Sequence, residues 1–228
     1  MTSRATELRC AVLLCAFLAL VFVTFPRLDL LASGLFFDHG HWLLSRDSPW
    51  LLIPYRGLPR LGQVTVVTLL ALYLLSFAPR LACLRERRVL FGFLLTSALA
   101  GPVLLVDVGL KDHSGRARPI NIVAFGGDKT FSPAFVPANE CRKNCSFVSG
   151  HVATASFVMA FGWLGAPARR RRWLIAGVVS AGLMGLARMV PGGHFLSDVL
   201  FAWFAVYFSL WTTEWAFRRM GWLSRATD

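Results

Sequence analysis

Arg188-Met189-Val190-Pro191-Gly192-Gly193-His194-Phe195-Leu196-Ser197-Asp198 is a polar junction between two apolar runs, and its reading decides the fold. Pro191, Gly192 and Gly193 break a helix ending near Val190, and the apolar residues from Phe195 onward start another. The spacing predicts His194 in the first turn of that second helix, with Asp198 four residues further along the same face. A carboxylate so placed holds one imidazole nitrogen while the other faces a substrate. The flanking runs, Trp173 to Val190 and Phe195 to Phe217, are each long enough to cross a bilayer.

Working outward, four more runs have the same character: Leu8 to Phe25, Leu61 to Ala78, Val89 to Val108 and Val148 to Gly165. With 228 residues, 56% hydrophobic and 16% charged, the chain reads as one all-α domain over 1–228, a polytopic bundle of six transmembrane helices. The first run follows Arg4 and Arg9 as a secretory signal would. No Ala-x-Ala site follows it and no small residue precedes Cys15, so it is expected to stay as a span. Pro26 to Arg60 is too broken by Pro, Gly, Asp and His to cross. Leu28, Leu31 and Leu35 recur there at helical spacing, which predicts an interfacial amphipathic segment anchored by Phe36, Phe37, Trp42, Trp50 and Tyr55. Pro102 predicts a kink in the third span, and Asp107 near its end an interfacial cap or ion pair.

The net charge of +12 is carried by residues that flank apolar runs or gather near His113 and Cys141. A membrane surface and an anionic substrate account for it, and nucleic acid is not expected as a partner. With six spans, the arginines of the N-terminus, the 79–88 loop, the 166–172 loop (Arg169 to Arg172) and the tail (Arg218, Arg219, Arg225) share one side, the cytoplasmic one. The 26–60 segment, a 109–147 loop and the Pro191 to Gly193 turn then face outward. Cys10, Cys15 and Cys83 lie within or inside the membrane, whereas Cys141 and Cys145 share the outer loop, where oxidation is allowed. A local disulfide beside Ser149 is expected, since a zinc site would need two further ligands that the loop does not offer.

Three clusters thus meet on the outer face: Lys111 to Pro119, Ser146 to His151, and Arg188 to Asp198. Lys111, Arg118 and Arg188 suit phosphate oxygens, and helix N-termini near Ser149 and His194 add amide donors. His194 can attack phosphorus as a neutral imidazole, His151 can protonate the departing oxygen, and Ser149 can donate to a phosphate oxygen. This scheme calls for no metal and no cofactor. A protein that only bound or moved phospholipid would need the cations but no nucleophile.

Lys-x6-Arg-Pro at 111–119, Ser-Gly-His at 149–151 and Arg-x5-His-x3-Asp at 188–198 resemble, in order, the three signatures of the type 2 phosphatidic acid phosphatase family. The resemblance implies a six-helix membrane bundle and metal-independent chemistry through a phosphohistidine. It makes His194 the nucleophile, Asp198 its orienting partner and His151 the general acid. Lys111, Arg118, Ser149, Gly150 and Arg188 would bind phosphate. Val148 stands where the family commonly has proline, and Ala187 where it has serine; neither change removes a catalytic group. The wording of 125–131 and 141–151 is similar to lipid A phosphatases, so a lipid A phosphate is the first expected substrate. Undecaprenyl diphosphate, phosphatidylglycerol phosphate, phosphatidic acid and lipid-to-lipid phosphotransfer are the alternatives. Soluble vanadate-dependent haloperoxidases resemble the same site, but the apolar spans argue against them. The implied location is a bacterial inner membrane, with both termini cytoplasmic and the site periplasmic.

Overall fold

Ser3 opens the first helix, its Oγ accepting from the Thr6 amide at 3.2 Å, and Pro26 lies just past its end. In a computed structural model, which describes residues 3–223, this helix is α1 (Arg4–Thr24), followed by the short α2 (Arg27–Gly34). A two-residue hairpin, β1 (Phe37–Asp38) and β2 (His41–Trp42), pairs Phe37 with Trp42. Then come α3 (Pro49–Leu75), α4 (Ala82–Glu86), α5 (Arg88–His113), α6 (Gly150–Gly162), α7 (Pro167–Met189) and α8 (Leu196–Arg219). Among the described residues five helices, α1, α3, α5, α7 and α8, are long and apolar enough to cross a membrane. The chain is an all-α, multi-pass membrane protein. Arg225 of the expected basic tail lies outside the described residues.

Several expected boundaries move, each for a local reason. The second span starts at Pro49 instead of Leu61, because Pro49 occupies a first-turn position and the π-helical turn Ile53–Gly57 accommodates Pro54. The interfacial segment is therefore confined to α2 and the hairpin. Its leucines Leu28, Leu31 and Leu35 are exposed, while Asp29 and Ser33 are buried. The third span runs on to His113, wound π-helically over Leu99–Leu110 around Pro102. Lys111 thus sits at a helix end and not in a loop. α6 is shorter than the expected 148–165, α-helical to Ser156 and 3-10 from Phe157 to Gly162, a rise of roughly 20 Å. Arg169 to Arg172 form the first turns of α7, where Pro167 is at N1 and Arg170 is buried against Glu7.

Helix α8 is central and packs against α1, α5, α6 and α7. Without a hydrophobic drive between helices in lipid, close approach depends on small residues. A Cβ at Gly177 would stand 2.9 Å from that of Met159, and one at Gly185 would collide with Val199. Ala117, Ile122, Phe125 and Phe195 form a separate small core with Phe37, Trp42 and Phe131. This core seats the 114–149 loop and the hairpin on the α7–α8 turn, where Gly192 has φ +67 and the Trp42 ring fills the place of a Cβ.

Candidate active site

The α7–α8 turn places His194 just before α8, not in its first turn as expected, because the helix begins at Leu196 with Phe195 as its cap. Asp198 is three residues after that cap, and its Oδ2 accepts the Phe195 amide at 2.8 Å. His194 is 1% exposed, and its Nδ1–H donates to the Ser146 carbonyl at 2.8 Å. Asp198 Oδ2 lies 3.5 Å from the same nitrogen, so the carbonyl, not the carboxylate, makes the shorter bond. Among the described residues His194 Nε2 is buried without a partner, as are Ser149 Oγ and Arg188 Nε and Nη1. Unfilled donors and acceptors of this kind are costly unless a ligand completes them. Burial pushes the His194 imidazole down to about 3; Asp198 opposes that shift, and Arg188 and Arg118 add to it.

The other expected residues gather round this histidine. His151 Nε2–H donates to the Tyr55 carbonyl at 3.1 Å, with the two rings 5.1 Å apart. Arg188 lies 3.8 Å over the Tyr55 ring. Lys111 Nζ is 3.4 Å from Asp107 Oδ1, the ion pair expected for Asp107, and a Cβ at Gly150 would stand 3.1 Å from Nζ. Arg118 Nη2 donates to the Asn144 carbonyl at 2.9 Å. Cys141 and Cys145 are joined as a disulfide, Cα–Cα 5.6 Å. From Cys145 the chain laces the three clusters together: Cys145 N to Lys111 O, Ser146 N to Arg116 O, and Ser149 N to Asp198 O. The backbone bonds thus bring the three clusters together, and with them a neutral imidazole, a second histidine, three cations and several unfilled polar atoms.

Four residues here had no part in the site assigned from sequence. Arg116 is 1% exposed and donates to Asp198 Oδ1 at 2.6 Å and to Asp29 Oδ2 at 2.7 Å. Ser146 Oγ donates to Asp198 Oδ2 at 2.5 Å. Burial pushes the Asp29 carboxyl up, with Arg116 pulling the other way. Tyr55, expected as a belt anchor, faces the site. The available signal was a lone Asp in the leucine-rich segment and an arginine two positions before Arg118.

Residues 87–221 match the family model described as the PAP2 superfamily. The lipid A 4'-phosphatase of Francisella tularensis subsp. novicida is 35% identical over 204 residues, covering 86% of this chain and 89% of that protein. The lipid A 4'-phosphatase of Rhizobium leguminosarum is 32% identical over 197 residues, covering 80% and 84%. No solved structure matches. With its three signatures gathered about one buried imidazole, and a match that takes in more than half its length, the chain belongs to the PAP2 superfamily.

Proposed function

We propose that this protein removes a phosphate from lipid A at the outer face of a bacterial inner membrane, the 4'-phosphate by likeness to its relatives. It is a membrane lipid phosphatase, and the observation that carries the mechanism is the buried, partnerless Nε2 of His194 beside the partnerless Arg188 and Ser149 groups. In the first step Nε2 forms a bond to phosphorus as the bond to the lipid oxygen breaks, and His151 gives its proton to that oxygen. Water then attacks phosphorus, its proton returns to His151, and the nitrogen–phosphorus bond breaks to release phosphate. Asp198 and the Ser146 carbonyl hold the Nδ1–H throughout. Lys111, Arg118, Arg188, Ser149 and the Gly150 amide stabilise the oxygens of the transferring group, without a metal.

A lipid substrate is supported by a cavity of about 960 Å³ between α3, α5, α6 and α7. Leu58, Val66, Pro102, Val158 and Leu183 are among its walls, and it reaches Asp107, the partner of Lys111. Acyl chains there would set the headgroup phosphate at the cations. The periplasmic placement rests on the arginines of α1, α7 and α8 meeting acidic partners at the other end of the bundle, with α6 as a sixth, short crossing. The test is phosphate release by the purified protein from a panel of phosphorylated lipids, with mass analysis of the position lost. Lipid A is expected to lose its 4'-phosphate, in EDTA as well as without it, and His194→Ala to turn over nothing while still binding lipid. Preference for a glycerophospholipid would overturn the substrate, and chelation reversed by zinc would overturn the metal-free steps.

A further inference from the structure

The carboxylate beside His194 does not act alone. Arg116 spans two carboxylates: Nη1 donates to Asp198 Oδ1 at 2.6 Å, and Nη2 donates to Asp29 Oδ2 at 2.7 Å. Ser197 ties the same three groups, its Oγ accepting from Arg116 Nη1 at 2.8 Å and donating to Asp29 Oδ2 at 2.6 Å. The Ser197 amide donates to Asp29 Oδ1 at 2.9 Å. Asp29 receives three donors and faces no acceptor, which is the pattern of an ionised carboxylate. The guanidinium is fixed further by the Ser132 carbonyl at 2.9 Å and by the Phe195 ring at 4.3 Å. All of this is buried: Asp29, Arg116, Ser197 and Asp198 are each at most 1% exposed.

We infer that Asp29, supplied by the interfacial helix α2, is a positioning residue of the reaction: by neutralising Arg116 it leaves the negative charge of Asp198 to His194. The inference rests on the proposed phosphohistidine chemistry. When Nε2 bonds to phosphorus the imidazole gains positive character, and its Nδ1–H needs the full charge of Asp198 nearby. Two carboxylates around one guanidinium sum to a single negative charge. Without Asp29 the sum is zero, Asp198 is drawn to Arg116, and the imidazole loses its counter-charge. Asp29 touches no phosphate-binding group, so ground-state binding of the substrate does not depend on it.

Asp29→Asn keeps the size and removes the charge. Its kcat, per folded molecule, is expected to fall about 10-fold or more, with KM held within about twofold. Asp29→Asn combined with Arg116→Gln removes both charges. That double variant is expected to be no slower than Arg116→Gln alone, because Asp29 acts through Arg116. Wild-type kcat in Asp29→Asn, or losses that multiply in the double variant as for two independent packing defects, would overturn the inference. Should Asp29→Asn yield no folded protein, Arg116→Lys reads the same arrangement. A lysine keeps the charge but cannot fork between two carboxylates; kcat must fall with KM held, and an unchanged kcat would overturn the inference equally. Wild type and His194→Ala run alongside. If wild type releases no phosphate, the functional reading fails and this inference falls with it; if wild type works and Asp29→Asn matches it, only the inference fails.

Discussion

His194 is held neutral by its surroundings. Burial first, then the charges of Arg188 and Arg118, push it down to about 3 even though Asp198 favours the charged form. A neutral imidazole is the nucleophilic form, so the proposed attack on phosphorus needs no prior loss of a proton at physiological pH. The same shift makes a stability statement. In the unfolded chain the histidine titrates near its ordinary value of about 6.5, so protons favour unfolding as pH falls from there toward the folded value. This contribution to stability is complete above the unfolded value and is lost through that acid window. The thermal midpoint in detergent is expected to drop more steeply from pH 7 to pH 5 in wild type than in His194→Gln. Parallel curves would show that the imidazole is not withheld from protonation. The pairing of His194 with Asp198 was legible, being four residues apart on the chain. The role of Arg116 was not, because Asp198 and Asp29 lie 82 and 87 residues away from it. Tyr55 was masked by its type, since an aromatic near a membrane boundary is ordinarily an anchor.

At the scale of elements, the segment from Cys141 to Ser149 does for the site what a strand would do in a soluble enzyme. Its amides and carbonyls reach Lys111, Arg116, Arg118, His194 and Asp198 in turn. The disulfide closes a short loop at its start, with four residues of separation. Opening a loop this small costs roughly 2 kcal/mol on chain-entropy grounds. Cys141→Ser is therefore expected to lower the thermal midpoint by a few degrees and to weaken vanadate inhibition several-fold, because Arg118 is held through the Asn144 carbonyl. A variant with lower stability but wild-type inhibition would mean that the loop does not hold Arg118. The apolar runs were legible as spans because composition alone marks them. Their ends were not: a proline counts as a breaker on the page, yet Pro49 and Pro54 sit inside α3, where a first-turn position and a wide π-helical turn absorb the missing amide. In α2 the stripe of Leu28, Leu31 and Leu35 stays exposed, while Asp29 and Ser33 pack inward beside Leu30 and Ala32.

Across the whole molecule, the end of the bundle away from His194 is closed by a second charged network. Glu214 on α8, 2% exposed, pairs with Arg4 and Arg218 and accepts Trp163 Nε1–H at 2.7 Å. Glu7 on α1 accepts from Arg170 at 2.6 Å and from Tyr207 at 2.7 Å. The arginines at this end were legible as a topology signal, because each flanks an apolar run. That two of them are also clasped inside was not, since Arg4 and Glu214 stand 210 residues apart and Arg170 and Glu7 stand 163 apart. The clasp joins α1, α6, α7 and α8 about 27 Å, the rise of α7 from Arg170 to Arg188, from the site's cations. Glu214→Gln keeps the shape and removes the charge, leaving Arg4 half-buried without its carboxylate. Arg4 keeps access to solvent, so the cost stays below the roughly 3–5 kcal/mol of a fully buried pair, and a fall in the detergent thermal midpoint is expected. Turnover per folded molecule is expected to stay at the wild-type level, because none of the clasp's partners belongs to the catalytic end. A fall in kcat with the folded fraction unchanged would instead mean that the two ends of the bundle move as one.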